Sequence, residues 1–478
     1  MLEVAFTVPL LASPFVAVRD ANAQETSFAE AREQALALLV EDLEGLSTWC
    51  AKNRLFASRN QVYEEILRFD PDNGTAHKGL GHRRDKEGRW FAVESKQAKD
   101  FDKKAALELP LQREQATRRF IECVLSMLAE RTLGFGEREL LLEDVLTVDP
   151  DNAVVRGLRR DVKVEGLWVC TETALAKKRR VELRELVRNL YENSPEPLPT
   201  KPSGKDTKIG VNWTHAVEND TVRVLGTGAE DEVLLAARAL YVAERYFDRV
   251  FNVEAALGDG VTVYLLADQA REKSVFLDGH PAIRPQDRPY LEQLDGSGFH
   301  ECPDFAQWGL KQEWRVDSTV RFAIGWLARE AFGIYTGHGW AHEGLGLYMT
   351  RELIGTRLSW FVQPSKLLDA QTDVSLRQRL LMEETNWMNT TYEMLRGHVR
   401  PKLAEVFAKS ANDLTTEDLL LGYVTVAYLL EGVPPEASGR FLSQVGKNRP
   451  LEAASKEHLG MDLEELDARI FRWLGERR

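Results

Sequence analysis

One turn is written twice in this chain, and it constrains the fold more than any other feature. Asp70-Pro71-Asp72-Asn73 returns at Asp149-Pro150-Asp151-Asn152, 79 residues on from position 70 to position 149. Each copy is followed by Glu-Gly-x-Trp, at Glu87 to Trp90 and at Glu165 to Trp168. Proline disfavours helix at the residue before it and fits the first turn of the helix that starts there. In both copies, therefore, one helix must stop and another begin within four residues. The matching stretches, Tyr63 to Gly81 and Glu143 to Arg160, read as an internal helical repeat.

These segments resemble the inter-repeat turn of tetratricopeptide-like helical pairs. The spacing is not a multiple of that family's period of about 34 residues, so the expectation is a short, irregular array. Such pairs present a concave protein-binding face or simply pack against a neighbouring domain, and the sequence leaves both open. The Glu-Gly-x-Trp element is expected to close each repeat with its Trp buried. Ser194 to Lys205, with four prolines, reads as a linker. The expected layout is a helical repeat domain over 24–193, a linker over 194–208 and a second domain over 209–478.

In that second domain, Gly210 to Thr227 alternates as paired strands, and Glu230 to Val250 has the apolar spacing of an amphipathic helix. Gly260 to Asp268 reads as a buried strand. A helix capped by Asp317 or Ser318 and stopped by Gly333 comes next, then a Gly/His-rich turn and a second helix through Met349. From Val374 on the pattern is helical again. The fold class expected is α+β, mainly helical, with a small β-sheet lobe and a helical lobe in the second domain.

Trp340, Glu343, Gly344, Leu345 and Tyr348 resemble the end of the gluzincin motif in peptidase-MA-like metallopeptidases. The strand pair, helix, strand and two-helix order is similar to that family's N-terminal lobe. Leu421 to Gly432 and Leu459 to Leu474 resemble its helical tail. The resemblance implies a His-Glu-x-x-His pair on the preceding helix, holding zinc together with a later Glu at the position of Glu343. Some twenty residues before Glu343 the chain reads Thr319-Val320-Arg321-Phe322-Ala323, and no histidine stands between His300 and His338. The resemblance thus implies a metal-free, non-catalytic relative that binds peptide or protein in a vestigial cleft. That cleft would be lined by Thr319, Val320, Arg321, Ala323, Trp340, Glu343, Gly344 and Tyr348. Arg321 is expected to pair with Glu343, a guanidinium standing where the metal charge would be.

The alternative is an active zinc metallopeptidase with a relocated site, using His338, His342 and Glu343, with His300 or Glu330 as further ligand or base. His300-Glu-Cys-Pro-Asp304 has the look of a zinc motif with Asp for the second His, but Pro303 and the preceding glycines argue for a loop. No Gly-x-Ser-x-Gly elbow and no phosphate-binding Gly-rich loop is present, so no nucleotide cofactor is implied.

A formal net charge of −13 argues against nucleic acid as partner. Met1 to Gln24 is apolar and ends in Ala21-Asn22-Ala23, which reads as an export signal cleaved after Ala23 and so as a periplasmic or extracellular protein. No stretch reaches the roughly 20 apolar residues of a membrane span. Cys50, Cys123, Cys170 and Cys302 form no Cys-x-x-Cys pair, and their spacing assigns no partners.

Overall fold

The structure, a computed structural model, describes residues 27–92, 98–294, 298–301, 304–309, 311–356, 374–382, 384–397 and 401–477. The segment read as an export signal lies outside the described residues. The chain divides into two compact units, the first ending at Arg159 and the second running from Arg160. It is mainly helical with small sheets.

The first unit contains α1 (Phe28–Lys52), α2 (Phe56–Phe69), α3 (Gly74–Gly79), a hairpin of β1 (Arg83–Arg84) and β2 (Trp90–Phe91), then α4 (Lys103–Glu130), α5 (Phe135–Val148) and α6 (Ala153–Leu158). Leu39, Leu43, Leu46 and Cys50 fall at helical spacing on α1. They are buried with Val62 and Ile66 of α2, Phe120 and Val124 of α4, and Leu141 and Val145 of α5. An ion pair from Arg32 to Asp144 joins α1 to α5 at 2.7 Å.

The repeated turn has one geometry in both copies. The backbone N–H of Asp70 donates to Ile66, and that of Asp149 donates to Val145, ending α2 and α5. Asn73 then caps α3 by accepting from the N–H of Ala76 at 2.9 Å, and Asn152 caps α6 by accepting from Val155 at 3.0 Å. Each Asn also donates to the first Asp of its own turn. This is how Asn saturates the orphan donors of a helix start. In both copies Glu-Gly-x-Trp lies in a β-hairpin with its Gly in the left-handed region, Gly88 at φ 82° and Gly166 at φ 86°. The tryptophans are half-buried rather than buried. Trp90 stacks on His77 and lies under Arg84, and Trp168 lies under Lys163. A two-stranded hairpin shields only one face of a ring.

The second unit begins with the second of those hairpins, β3 (Asp161–Val164) and β4 (Leu167–Cys170), and α7 (Thr171–Glu192). The sequence placed the division at 194–208, whereas the compact units meet at Arg159 and Arg160. The proline-rich segment instead supplies β5 (Leu198–Pro199) and α8 (Gly204–Lys208). Proline is tolerated there because β5 is an edge strand.

A six-stranded sheet follows, ordered β5-β6-β7-β8-β10-β9, with β6 (His215–Glu218), β7 (Arg223–Gly226), β8 (Thr262–Leu265), β9 (Gly298–Glu301) and β10 (Asp304–Gln307). β8 is central and parallel to both neighbours, Val263 pairing with Val224 and with Phe305. All four of its residues are buried, as a strand covered on both faces requires. α9 (Glu230–Phe251) makes the crossover between β7 and β8, while α10 (Gln269–Gly279) and α11 (Arg288–Glu292) lie between β8 and β9. His300, expected in a loop, is in β9, opposite Phe305. Cys302 and Pro303 lie outside the described residues, and Cys50, Cys123 and Cys170 are free thiols.

The helical part consists of α12 (Gln312–Phe332), α13 (Gly339–Ile354), α14 (Val374–Leu380), α15 (Trp387–Leu395), α16 (Leu403–Phe407), α17 (Thr416–Glu431), α18 (Pro435–Gly446), α19 (Leu451–His458) and α20 (Leu463–Glu476). α12 starts five residues before Asp317, so Asp317 and Ser318 are buried mid-helix positions rather than its cap. Arg315 ties α12 to α9 through a buried pair with Glu232, at 2.6 and 2.8 Å. Gly333 stops α12 in the left-handed conformation, φ 78°. α17 is buried along its whole length after Glu417, as a helix apolar on all sides must be.

Candidate functional site

α12 and α13 are joined by the short turn from Gly333 to His338 and pack against one another. Their shared face is built from two reciprocal fits. Arg321 lies across Gly346, where a Cβ would stand 2.8 Å from its Cγ. His342 lies across Gly325, where a Cβ would stand 2.8 Å from its Nε2. Each large side chain uses the space left by a glycine four residues along the facing helix from the other large side chain. Positions i and i+4 share a helix face.

This face carries one buried ion pair. Arg321 Nη1 donates to Glu343 Oε2 at 2.6 Å, with side-chain exposures of 4% and 8%. His342 Nδ1 stands 3.4 Å from the other carboxylate oxygen. Burial alone would raise the Glu343 pKa. The Arg321 charge and the His342 ring outweigh it and bring the carboxyl down to about 2. Arg321 therefore holds Glu343 as an anion in an interior that would otherwise neutralise it.

The remaining sequence candidates separate. Thr319 and Ala323 do not face α13. They line a small apolar void with Leu240, Leu257, Val261, Val263 and Phe305, and the Thr319 hydroxyl donates to the Arg315 carbonyl. Val320 is fully buried in the same core. Helix phase explains the correction, because residue 321 points about 200° away from residue 319 at 100° per residue. Trp340 stacks on Phe407 at 4.0 Å, and Gly344 lies against the Gly422 carbonyl of α17, so both serve packing. The Tyr348 hydroxyl donates to Glu431 of α17 at 3.0 Å, at a different place from Glu343.

His342 and Glu343 lie side by side, but His338 does not join them. The His338 Nε2 bonds Asn448 at 3.0 Å, and its Nδ1 accepts from the Tyr335 N–H at 3.3 Å. Among the described residues, no three His, Cys, Asp or Glu side chains form a group that could hold a metal ion. Sequence reading missed Gly325 and Gly346. The available signal was a small residue four positions after Arg321 and another four positions after His342.

Compared with known proteins, the chain matches no family model, no curated protein and no solved structure. Among the described residues no helix is long and apolar enough to cross a membrane.

Proposed function

We propose that the second unit is a metal-free, non-catalytic relative of the gluzincin metallopeptidases, exported from the cell, which binds peptide or protein without cleaving it. One observation carries the reading: the Arg321–Glu343 ion pair, buried between two helices in the order the motif requires. The carboxylate that such a peptidase would offer to zinc is already neutralised by a guanidinium. The face of α12 turned to it carries Arg321 and Gly325 at i and i+4, where imidazoles would be needed. Exchanging a metal for an internal cation keeps the helix pair folded and removes the Lewis acid that would polarise a water or a peptide carbonyl.

The test is the zinc content of the purified chain after zinc loading and dialysis, with peptide hydrolysis followed in the same samples. The expected result is substoichiometric zinc and no hydrolysis, unchanged by His338→Ala/His342→Ala. Near-stoichiometric zinc that the double variant loses, accompanied by cleavage, would overturn the reading.

A further inference from the structure

A cavity of about 700 Å³ opens among α7, α13, α15, α17 and α20, within the size range of small-ligand sites. Four arginines line it: Arg180, Arg184, Arg351 and Arg477. That is a notable concentration of positive charge in a chain whose net charge is −13.

Only part of this charge is used internally. Glu431, 2% exposed, takes two hydrogen bonds from Arg477, at 2.7 and 2.9 Å, and one from the Tyr348 hydroxyl. Arg180 reaches the same carboxylate at 3.6 Å. Glu431 is thus shared by two arginines and a tyrosine. Burial, and then the neighbouring Arg477, lower the Arg180 pKa, as expected where cations are crowded. Arg184 has no ion pair or hydrogen bond among the described residues. Arg351 donates to the carbonyl of Gly355 and, among the described residues, to no carboxylate.

We propose that this cavity is a binding site for a monocarboxylate, held by Arg184 and Arg351. A guanidinium matches a carboxylate in plane and in donor spacing. Glu352 and Glu384 also line the cavity, and their charges oppose a phosphate dianion more than a single carboxylate; burial raises the Glu352 pKa against the pull of Arg184 and Arg351. Trp387, Tyr423 and Leu474 also line the cavity, but they are almost wholly buried and the surface it presents is mostly polar. The carboxylate belongs either to a free small acid or to the C terminus of a peptide. The inference does not rest on the peptidase-like reading, because none of its residues is Arg321, His342 or Glu343.

The experiment is isothermal titration of the full chain with 3-phenylpropionate, with an Ala-Ala-Ala-Phe peptide as free acid, with the amide of each, and with inorganic phosphate. Arg184→Ala/Arg351→Ala and Arg184→Ala alone are titrated alongside. Both variants leave the Glu431 network intact, so melting temperatures are expected to hold. The expected result is binding of an acid form, weakened about tenfold by Arg184→Ala, the loss of one charged contact worth about 1.4 kcal/mol, and more strongly by the double variant. Tighter binding of the peptide acid assigns the site to peptide C termini, and tighter binding of phenylpropionate assigns it to small acids. Amides that bind as well as acids, phosphate that binds more tightly than either acid, no binding at millimolar concentration, or variants that bind like the parent would each overturn the proposal.

Discussion

The His342 ring occupies the space that a side chain at position 325 would fill, its Nε2 standing 2.8 Å from the place of a Cβ on Gly325. Replacing glycine by alanine inside a helix ordinarily stabilises it by about 1 kcal/mol. Gly325→Ala is expected to do the reverse, because the ring must move against a packed helix face. Gly325→Ala/His342→Ala removes the clash and should recover most of the loss. Denaturant melts of the four proteins in this cycle check it; additive effects would mean that the two positions do not meet.

Removing the cation of the buried pair leaves an uncompensated charge in the interior. Arg321→Ala is expected to cost about 3–5 kcal/mol. Arg321→Met/Glu343→Leu, which removes both charges and keeps apolar volume, should be far milder and near neutral. A double variant as unstable as Arg321→Ala would show that packing rather than charge dominates at this position.

The same carboxylate gives the protein an acid-sensitive component. Glu343 has a folded pKa of about 2, below its ordinary value of 4.5. A depressed pKa contributes stability that is fully present above the unfolded value and fades as the pH falls through the folded one. The contribution is therefore expected to disappear between about pH 4.5 and pH 2. Glu343→Gln has no proton to bind at this position, so its stability should change less steeply across that window. Parallel slopes for the two proteins in acid titrations monitored by calorimetry would contradict the assignment.

The twin caps should respond alike. Asn73→Ala and Asn152→Ala each free a helix-start N–H and are each expected to cost about 1 kcal/mol, while Asn→Ser at either position costs less. Chemical denaturation of the first unit's helical signal measures both. A large loss in one copy and none in the other would mean that the repeated geometry is not used energetically in both.

Local patterns carried much of this fold in plain view. The Asp-Pro-x-Asn turns, α9 with its apolar face, the buried strand β8 and the Gly333 stop all follow from short-range rules, and each lies where the residues point. The Arg321–Glu343 pair was also legible, since both residues stand out by type in two adjoining helices. The face of α12 that meets Glu343 was less so. Counting back from Glu343 selects Thr319 to Ala323, but helix phase turns those two residues toward the sheet. The division between units was hidden for another reason: a repeated hairpin has the same sequence pattern whichever body it packs on. The arginine cavity was out of reach, because Arg180 and Arg477 are separated by most of the second unit and meet only through Glu431.

The interlocked helix pair also limits how this sequence can change. An imidazole pair on the face of α12 opposite Glu343 would require histidine at both 321 and 325. Histidine at 325 claims the volume that His342 fills, and histidine at 321 must be protonated to keep the carboxylate of Glu343 paired, which a metal ligand cannot be. A metal-binding face here therefore calls for positions 321, 325 and 342 to change together rather than one at a time.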